Sequence, residues 1–187
     1  GVRNGLGILP GVEISSRGGH VIAIFDQDTP VERLHRLVEL LGFDEEQRGH
    51  GFQETAMWLD EAFQKIAESG GLAIAAHVDR RPKGFIGCDM PLKDRQRIHN
   101  SDYLSALEIT IPSNRTLWNQ GLMPHFPKKY ACIQGSDAHE PKEIGRRPIY
   151  VAIPTIDLDG LRLAFREYEA RIRFPEDLAI DFSSQLE

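Results

Sequence analysis

Residues 72–79 read LAIAAHVD. The first five are apolar without alternation, as expected of a strand buried on both faces of a parallel sheet, and His77 follows at its end. Upstream, a helix is expected over Glu54–Ser69. Leu59, Ala62, Phe63, Ile66 and Ala67 fall on one helical face, and Gly70 and Gly71 end it. Further upstream, DTPVERLHRLVELLG carries Thr29 as N-cap, Pro30 at the first helical position and Glu32 completing a capping box. Val31, Leu34, Val38 and Leu41 form its apolar face. Two short apolar runs, ILPGVEI and HVIAIF, flank the turn formers SSRGG and read as two tightly connected strands. Downstream, RRPKGFIGCDMPLKDRQRIHNSD is long, polar and irregular. Tyr103–Ile111 reads as a strand, SNRTLWNQG as a short helix capped by Ser113, and YACIQGSD and IYVAI as further strands. From Asp157, the residues Leu158, Leu161, Phe165, Tyr168 and Ile172 mark an amphipathic helix. The alternation of strands and helices implies an α/β fold with a mainly parallel sheet.

The 187 residues suffice for one domain with a real core, and 41% hydrophobic with 27% charged residues is ordinary for a soluble globular chain. No apolar run is long enough for a membrane helix. The start, GVRNGLGILPGVEIS, has no signal-peptide pattern and reads as if cut from a longer chain. Cys88 and Cys132 are free thiols by spacing, Cys132 in a strand core, which suits a reducing, cytoplasmic setting. The net charge of −6 gives no overall basic footprint for nucleic acid, although Arg80, Arg81 and Lys83, Lys128 and Lys129, and Arg146 and Arg147 form local basic clusters. Neither a phosphate loop nor a dinucleotide fingerprint is present.

Ligands bind at the carboxyl ends of strands in parallel α/β proteins. Glu13 ends PGVEI, His77 follows LAIAA, Glu108 lies in ALEIT, and Asp137 and His139 follow ACIQGS. His20 lies across the SSRGG turn from Glu13. Carboxylates and imidazoles are ligands for zinc, manganese or iron. Asp137 and His139, two residues apart in an extended segment, would face the same side. His35 reads as a solvated helix residue, and His50, His99 and His125 as loop residues.

PGVEIS followed by GGHV, AHVD, ALEI and GSDAH resembles the PHP family, the polymerase and histidinol phosphatase superfamily, from about Leu9 to Ile153. The resemblance implies a distorted (β/α)7 TIM-like barrel, lacking its first strands in this chain. It also implies a phosphoesterase domain over 1–174 with a C-terminal tail over 175–187. The implied activity is hydrolysis of a phosphomonoester or a nucleic-acid phosphodiester by a metal-activated water. Two or three divalent transition-metal ions would serve it. Glu13 would bridge two ions, His20 and His77 would complete the ligands of one, Asp137 would bind the second and His139 the third. Glu108 would support the site, and Glu13, His77 and Asp137 would carry catalysis. Arg80 and Arg146 would bind the substrate phosphate. The family's H-x-H and Asp-His motifs are absent, leaving a full ligand set for one ion. The nearest wording is that of PHP modules preceding an ATPase segment. The alternative is a catalytically inactive regulatory or interaction module beside such an ATPase domain. No membrane partner is expected.

Overall fold

A computed structural model describes residues 2–3, 5–49, 53–82 and 84–178. The chain opens with two short strands, β1 (Val2–Arg3) and β2 (Leu6–Gly7), paired with each other. Then come β3 (Gly11–Arg17), β4 (Gly19–Ile24), α1 (Val31–Leu40), β5 (Thr55–Trp58), α2 (Leu59–Glu68) and β6 (Leu72–Ala75). The second half holds α3 (Leu92–His99), β7 (Leu104–Glu108), α4 (Arg115–Asn119), β8 (Ala131–Ile133), β9 (Tyr150–Val151), α5 (Leu158–Arg166), α6 (Tyr168–Arg171) and β10 (Ile172–Arg173).

Six strands form the main sheet in the order β5-β3-β4-β6-β7-β8. Five run in one direction; β4 alone is antiparallel to its neighbours β3 and β6. The start of β4 therefore lies at the same edge as the carboxyl ends of the other five. That edge gathers residues far apart in sequence. The expected barrel is not formed by the described residues: the sheet is open, with β5 and β8 at its edges. β5 pairs with β3 at Ser16–Thr55 and Arg17–Trp58, and β9 pairs with β10 in a separate ribbon instead of closing onto β8.

β6 is buried along its whole length, as its unbroken apolar run predicts, although only its β7 side is parallel. α2 lies against β4 and β6 through Leu59, Ala62, Phe63 and Ile66, all fully buried. Each of the larger three contributes about 1.5–3 kcal/mol by leaving water. The helix starts later than its periodicity suggests. Thr55–Trp58 is extended beside β3, and Glu61 reaches back to accept the Trp58 N–H at 2.6 Å. In α1 the N-cap is Pro30 and no side chain caps the helix, so the expected Thr29 box is not made. Its buried residue is Leu37, Leu41 just past its end is also buried, and Val31 is exposed. Ser113 likewise caps nothing, because Pro112–Asn114 forms a 3-10 turn ahead of α4. Asp157 does cap α5, accepting the Gly160 N–H at 2.7 Å. Beyond the expected boundary at 174, Asp177 still pairs with Arg115 through both carboxylate oxygens at 2.5 and 2.6 Å. His50 and Lys83 lie outside the described residues. Among the described residues no helix is long and apolar enough to cross a membrane.

The stretch expected to be an irregular loop contains α3, and the helix places His99 inside the core. His99 is 1% exposed and packs among Phe85, Trp118, Phe126 and Tyr130, with ring centroids 5.1–6.5 Å away. Neither ring nitrogen has a hydrogen-bond partner. Burial, against weaker help from the nearby Lys128 and Phe126 backbone, pushes its pKa down to about 4 from 6.5. Between those values the unfolded chain binds more protons, so this contribution to stability is present above pH 6.5 and is lost as pH falls toward 4. In urea denaturation across that window, the His99→Leu variant should lose less stability than the parent protein; equal losses would refute the assignment.

Candidate metal centre

The β3–β4 hairpin sets the first two ligands. Its register pairs Ser15 with His20 and Glu13 with Ile22, so Glu13 and His20 sit diagonally on one face of the sheet. His77, two residues past the end of β6, completes the group. Glu13 Oε1 lies 3.1 Å from His20 Nδ1 and 3.3 Å from His77 Nε2. A carboxylate only accepts, so both imidazoles donate to the same oxygen. The rings meet edge to face with centroids 4.9 Å apart. Hydrogen bonds from His20 first and His77 second hold the Glu13 carboxyl down at about 2, against the opposing effect of burial. Burial pushes the His77 imidazole down, but the Glu13 hydrogen bond and the charges of Glu13 and Glu108 outweigh it, so its pKa is raised.

Backbone geometry delivers His77. Its φ is +32°, in the sparsely populated left-handed region, and its N–H donates to Glu108 Oε2 at 2.9 Å. Val78 N–H donates to the Glu108 carbonyl at 2.8 Å. Glu108 is only 4% exposed. Burial raises its pKa, and the nearby charges of Glu13 and Asp137 add to the rise against the His77 N–H bond. Gly135 makes room for this carboxylate, since a Cβ there would stand 2.3 Å from Glu108 Oε1.

Two residues on, Asp79 is a brace that the sequence did not single out. Its carboxylate accepts from Thr110 N–H and Oγ1 at 2.7 Å, and from Ile111 N–H and Asn114 Nδ2 at 3.0 Å. It fixes the segment leaving β7. The only sequence clue was its place two residues after a histidine at a strand end.

Asp137 also has positive φ, +47°, and its side chain is 8% exposed. Its partner is Arg80, whose Nη2 lies 2.6 Å from Asp137 Oδ2. The contact is close but badly angled, and Oδ2 has no hydrogen bond. His139 is exposed on the following loop, with Nδ1 3.0 Å from the Asp137 carbonyl and its N–H on Glu143 Oε2. Arg146 reaches the same loop: Nε donates to Ser136 O at 2.7 Å and Nη1 to Glu143 Oε1 at 2.8 Å. The structure thus joins Glu13, His20 and His77, places Asp137 against Arg80, and leaves His139 outside the three-residue cluster.

One ligand atom from each of Glu13, His20 and His77 lies within 4.8 Å of the others. Glu13 is 42% and His20 19% exposed while His77 is sealed at 2%, so the cluster is anchored on one side and open on the other. Two imidazoles and a carboxylate with an open position suit a divalent transition-metal ion. His77 Nδ1, buried with no hydrogen-bond partner, marks the ring as one not saturated by protein contacts.

The class so defined is an open α/β sheet with a two-histidine, one-carboxylate cluster, in which Glu13 comes from within β3 and not from its end as the sequence suggested, His20 from the start of β4 and His77 from the turn after β6. No protein-family model matches the chain, and no curated protein matches it. Two solved structures do. One is the crystal structure of the novel lesion-specific endonuclease PfuEndoQ from Pyrococcus furiosus, with TM-score 0.60 and 16% identity over 90% of this chain and 41% of that one. The other is endonuclease Q in complex with a 27-mer duplex substrate with an abasic lesion at the active site, with TM-score 0.58 and 17% identity over 86% of this chain and 40% of that one. At such identities the likeness is one of fold. The chain spans about two-fifths of the length of each structure.

Two substitutions test this construction. Gly135→Ala should displace the Glu108 carboxylate and weaken Mn²⁺ binding by about tenfold, read by calorimetry. Asp79→Ala should lower unfolding stability by about 3 kcal/mol, because four donors lose their acceptor.

Proposed function

We propose that this chain is a PHP-type, metal-dependent phosphoesterase unit acting on the phosphodiester backbone of nucleic acid. The observation that carries the proposal is the shared Glu13 carboxylate between His20 and His77. Two further observations support it: a fold like that of two solved endonuclease structures, one holding a DNA duplex, and the resemblance of the GVEI, AHVD and GSDAH segments to the PHP family. The phosphomonoester alternative has no comparable support.

Glu13, His20 and His77 would hold the ion. When bound, it would supply Lewis-acid charge for the phosphoryl oxygens and lower the pKa of a coordinated water. The protein's own groups do the rest. Glu108 orients His77 through its backbone N–H, which fixes where Nε2 points. Arg80, 41% exposed, keeps guanidinium N–H groups free for a phosphate oxygen. Arg146, with two donors already committed to Ser136 and Glu143, shapes the loop around Asp137. The unit proposed to carry this site covers 1–174, together with the Asp177 contact.

One observation favours a second reading, a metal-binding interaction module without catalysis: among the described residues only a single three-ligand cluster is found. Cleavage of intact and lesion-bearing DNA duplexes with added Mn²⁺ separates the two. Glu13→Gln and His77→Ala should each reduce metal-dependent cleavage at least about a hundredfold and abolish stoichiometric Mn²⁺ binding. Stoichiometric metal with no cleavage of any duplex supports the interaction module. Full cleavage by His77→Ala refutes the proposed site.

A further inference from the structure

The side chain of Asp137 poses a problem that the three-ligand cluster does not solve. A carboxylate sealed from water needs a cation or several donors. Its Oδ2 has no hydrogen bond, and the nearest cation is the Arg80 guanidinium at 2.6 Å. Glu13 and Glu108 both bond to His77. Glu13 has the two imidazoles and Glu108 has the His77 N–H, whereas Asp137 has Arg80.

Arg80 is delivered rigidly. Its N–H donates to the His77 carbonyl at 2.9 Å, and its own carbonyl accepts the Gly84 N–H at 2.8 Å. The turn is so tight that a Cβ on Gly84 would stand 2.4 Å from Arg80 O and 2.5 Å from His77 O. The same turn therefore carries a ligand of the cluster and the cation facing Asp137. Its closest approach to Asp137 is through Nη2, and the Arg80 side chain remains 41% exposed.

We propose that Arg80 takes the place of a second metal ion. Asp137 anchors the guanidinium instead of ligating metal, and the site works with one ion at Glu13, His20 and His77 plus the Arg80 fork on the substrate phosphate. This rests on the metal-dependent reading above and names its cation inventory.

The test is Mn²⁺ stoichiometry of the full chain by elemental analysis, with Mn²⁺ and inorganic phosphate affinities by calorimetry. The parent protein should hold one ion. Asp137→Asn should also hold one, with an affinity within about threefold of the parent, because Asp137 is no ligand. Arg80→Met should keep that ion and lose about tenfold or more in phosphate affinity, with Arg80→Lys intermediate. Two ions in the parent falling to one in Asp137→Asn would overturn the proposal, and so would unchanged phosphate affinity in Arg80→Met. If Asp137→Asn fails to fold by circular dichroism, the parent's ion count and the Arg80→Met pair decide alone. No stoichiometric ion in the parent, with Glu13→Gln equally indifferent to metal, would sink the metal-dependent reading itself. One ion with unchanged phosphate binding in Arg80→Met sinks only the role given to Arg80.

Discussion

The Glu108 carboxylate holds the candidate site together. It is buried at the end of β7, where an unmatched charge would be expensive, and it meets that demand by accepting the His77 N–H. The bond runs both ways in its consequences. Glu108 gains a donor, and His77 is kept at a left-handed backbone angle that it would otherwise leave. Because the ring follows the backbone, Nε2 reaches the Glu13 oxygen only while this bond stands. Gly135, two residues past β8, leaves room for it, since a Cβ there would run into the other carboxylate oxygen, Oε1.

The same solution recurs along the edge. Asp79 satisfies its charge with four donors from the segment after β7, and Asp137 faces the Arg80 guanidinium from the loop after β6, with no hydrogen bond at Oδ2. Each buried acid is answered by a group from a different strand connection. Polar cross-links at the carboxyl edge thus do for the loops what Leu59, Phe63 and Ile74 do for the sheet and helices behind them. Two of the three positive-φ non-glycine residues among the described ones, His77 and Asp137, lie at this edge; the third, His125, lies in the loop ahead of β8.

Much of this was legible in the sequence. The unbroken run Leu72–Ala76 marked a buried strand, the spacing in α2 marked its inward face, and the polar residues after apolar runs marked the edge that matters. Glu13, His20 and His77 stood out as polar residues beside strand ends or a tight turn, and the resemblance to the PHP family joined them as the ligands of one ion. What was not legible depends on partners distant in sequence. Thr55–Trp58 continues a helical-looking segment but is extended because β3 offers an edge beside it. His99 looked like a loop histidine because α3 has almost no apolar periodicity of its own; Phe85, Trp118, Phe126 and Tyr130, each from elsewhere, make its pocket. The patterning implied only an α/β fold with a mainly parallel sheet, which is what forms; the barrel was expected from the family resemblance, and the described strands form an open sheet instead. Arg80 and Asp137, 57 positions apart by their numbering, were read as a phosphate binder and a metal ligand, and their direct pairing was invisible to both readings.

The hairpin that joins β3 to β4 also says something about order in time. Glu13 and His20 are seven residues apart, whereas Glu13 and His77 are separated by 64. The first pairing needs only a hairpin, an event of roughly 1–10 μs. The second waits until β6 has docked beside β4, after the loop and two helices between them have been drawn in. Assembly of the full triad is therefore a clock on the docking of β6: a nascent chain or a folding intermediate can own two of the ligands early, but owns the third only when the long-range half of the sheet is in place.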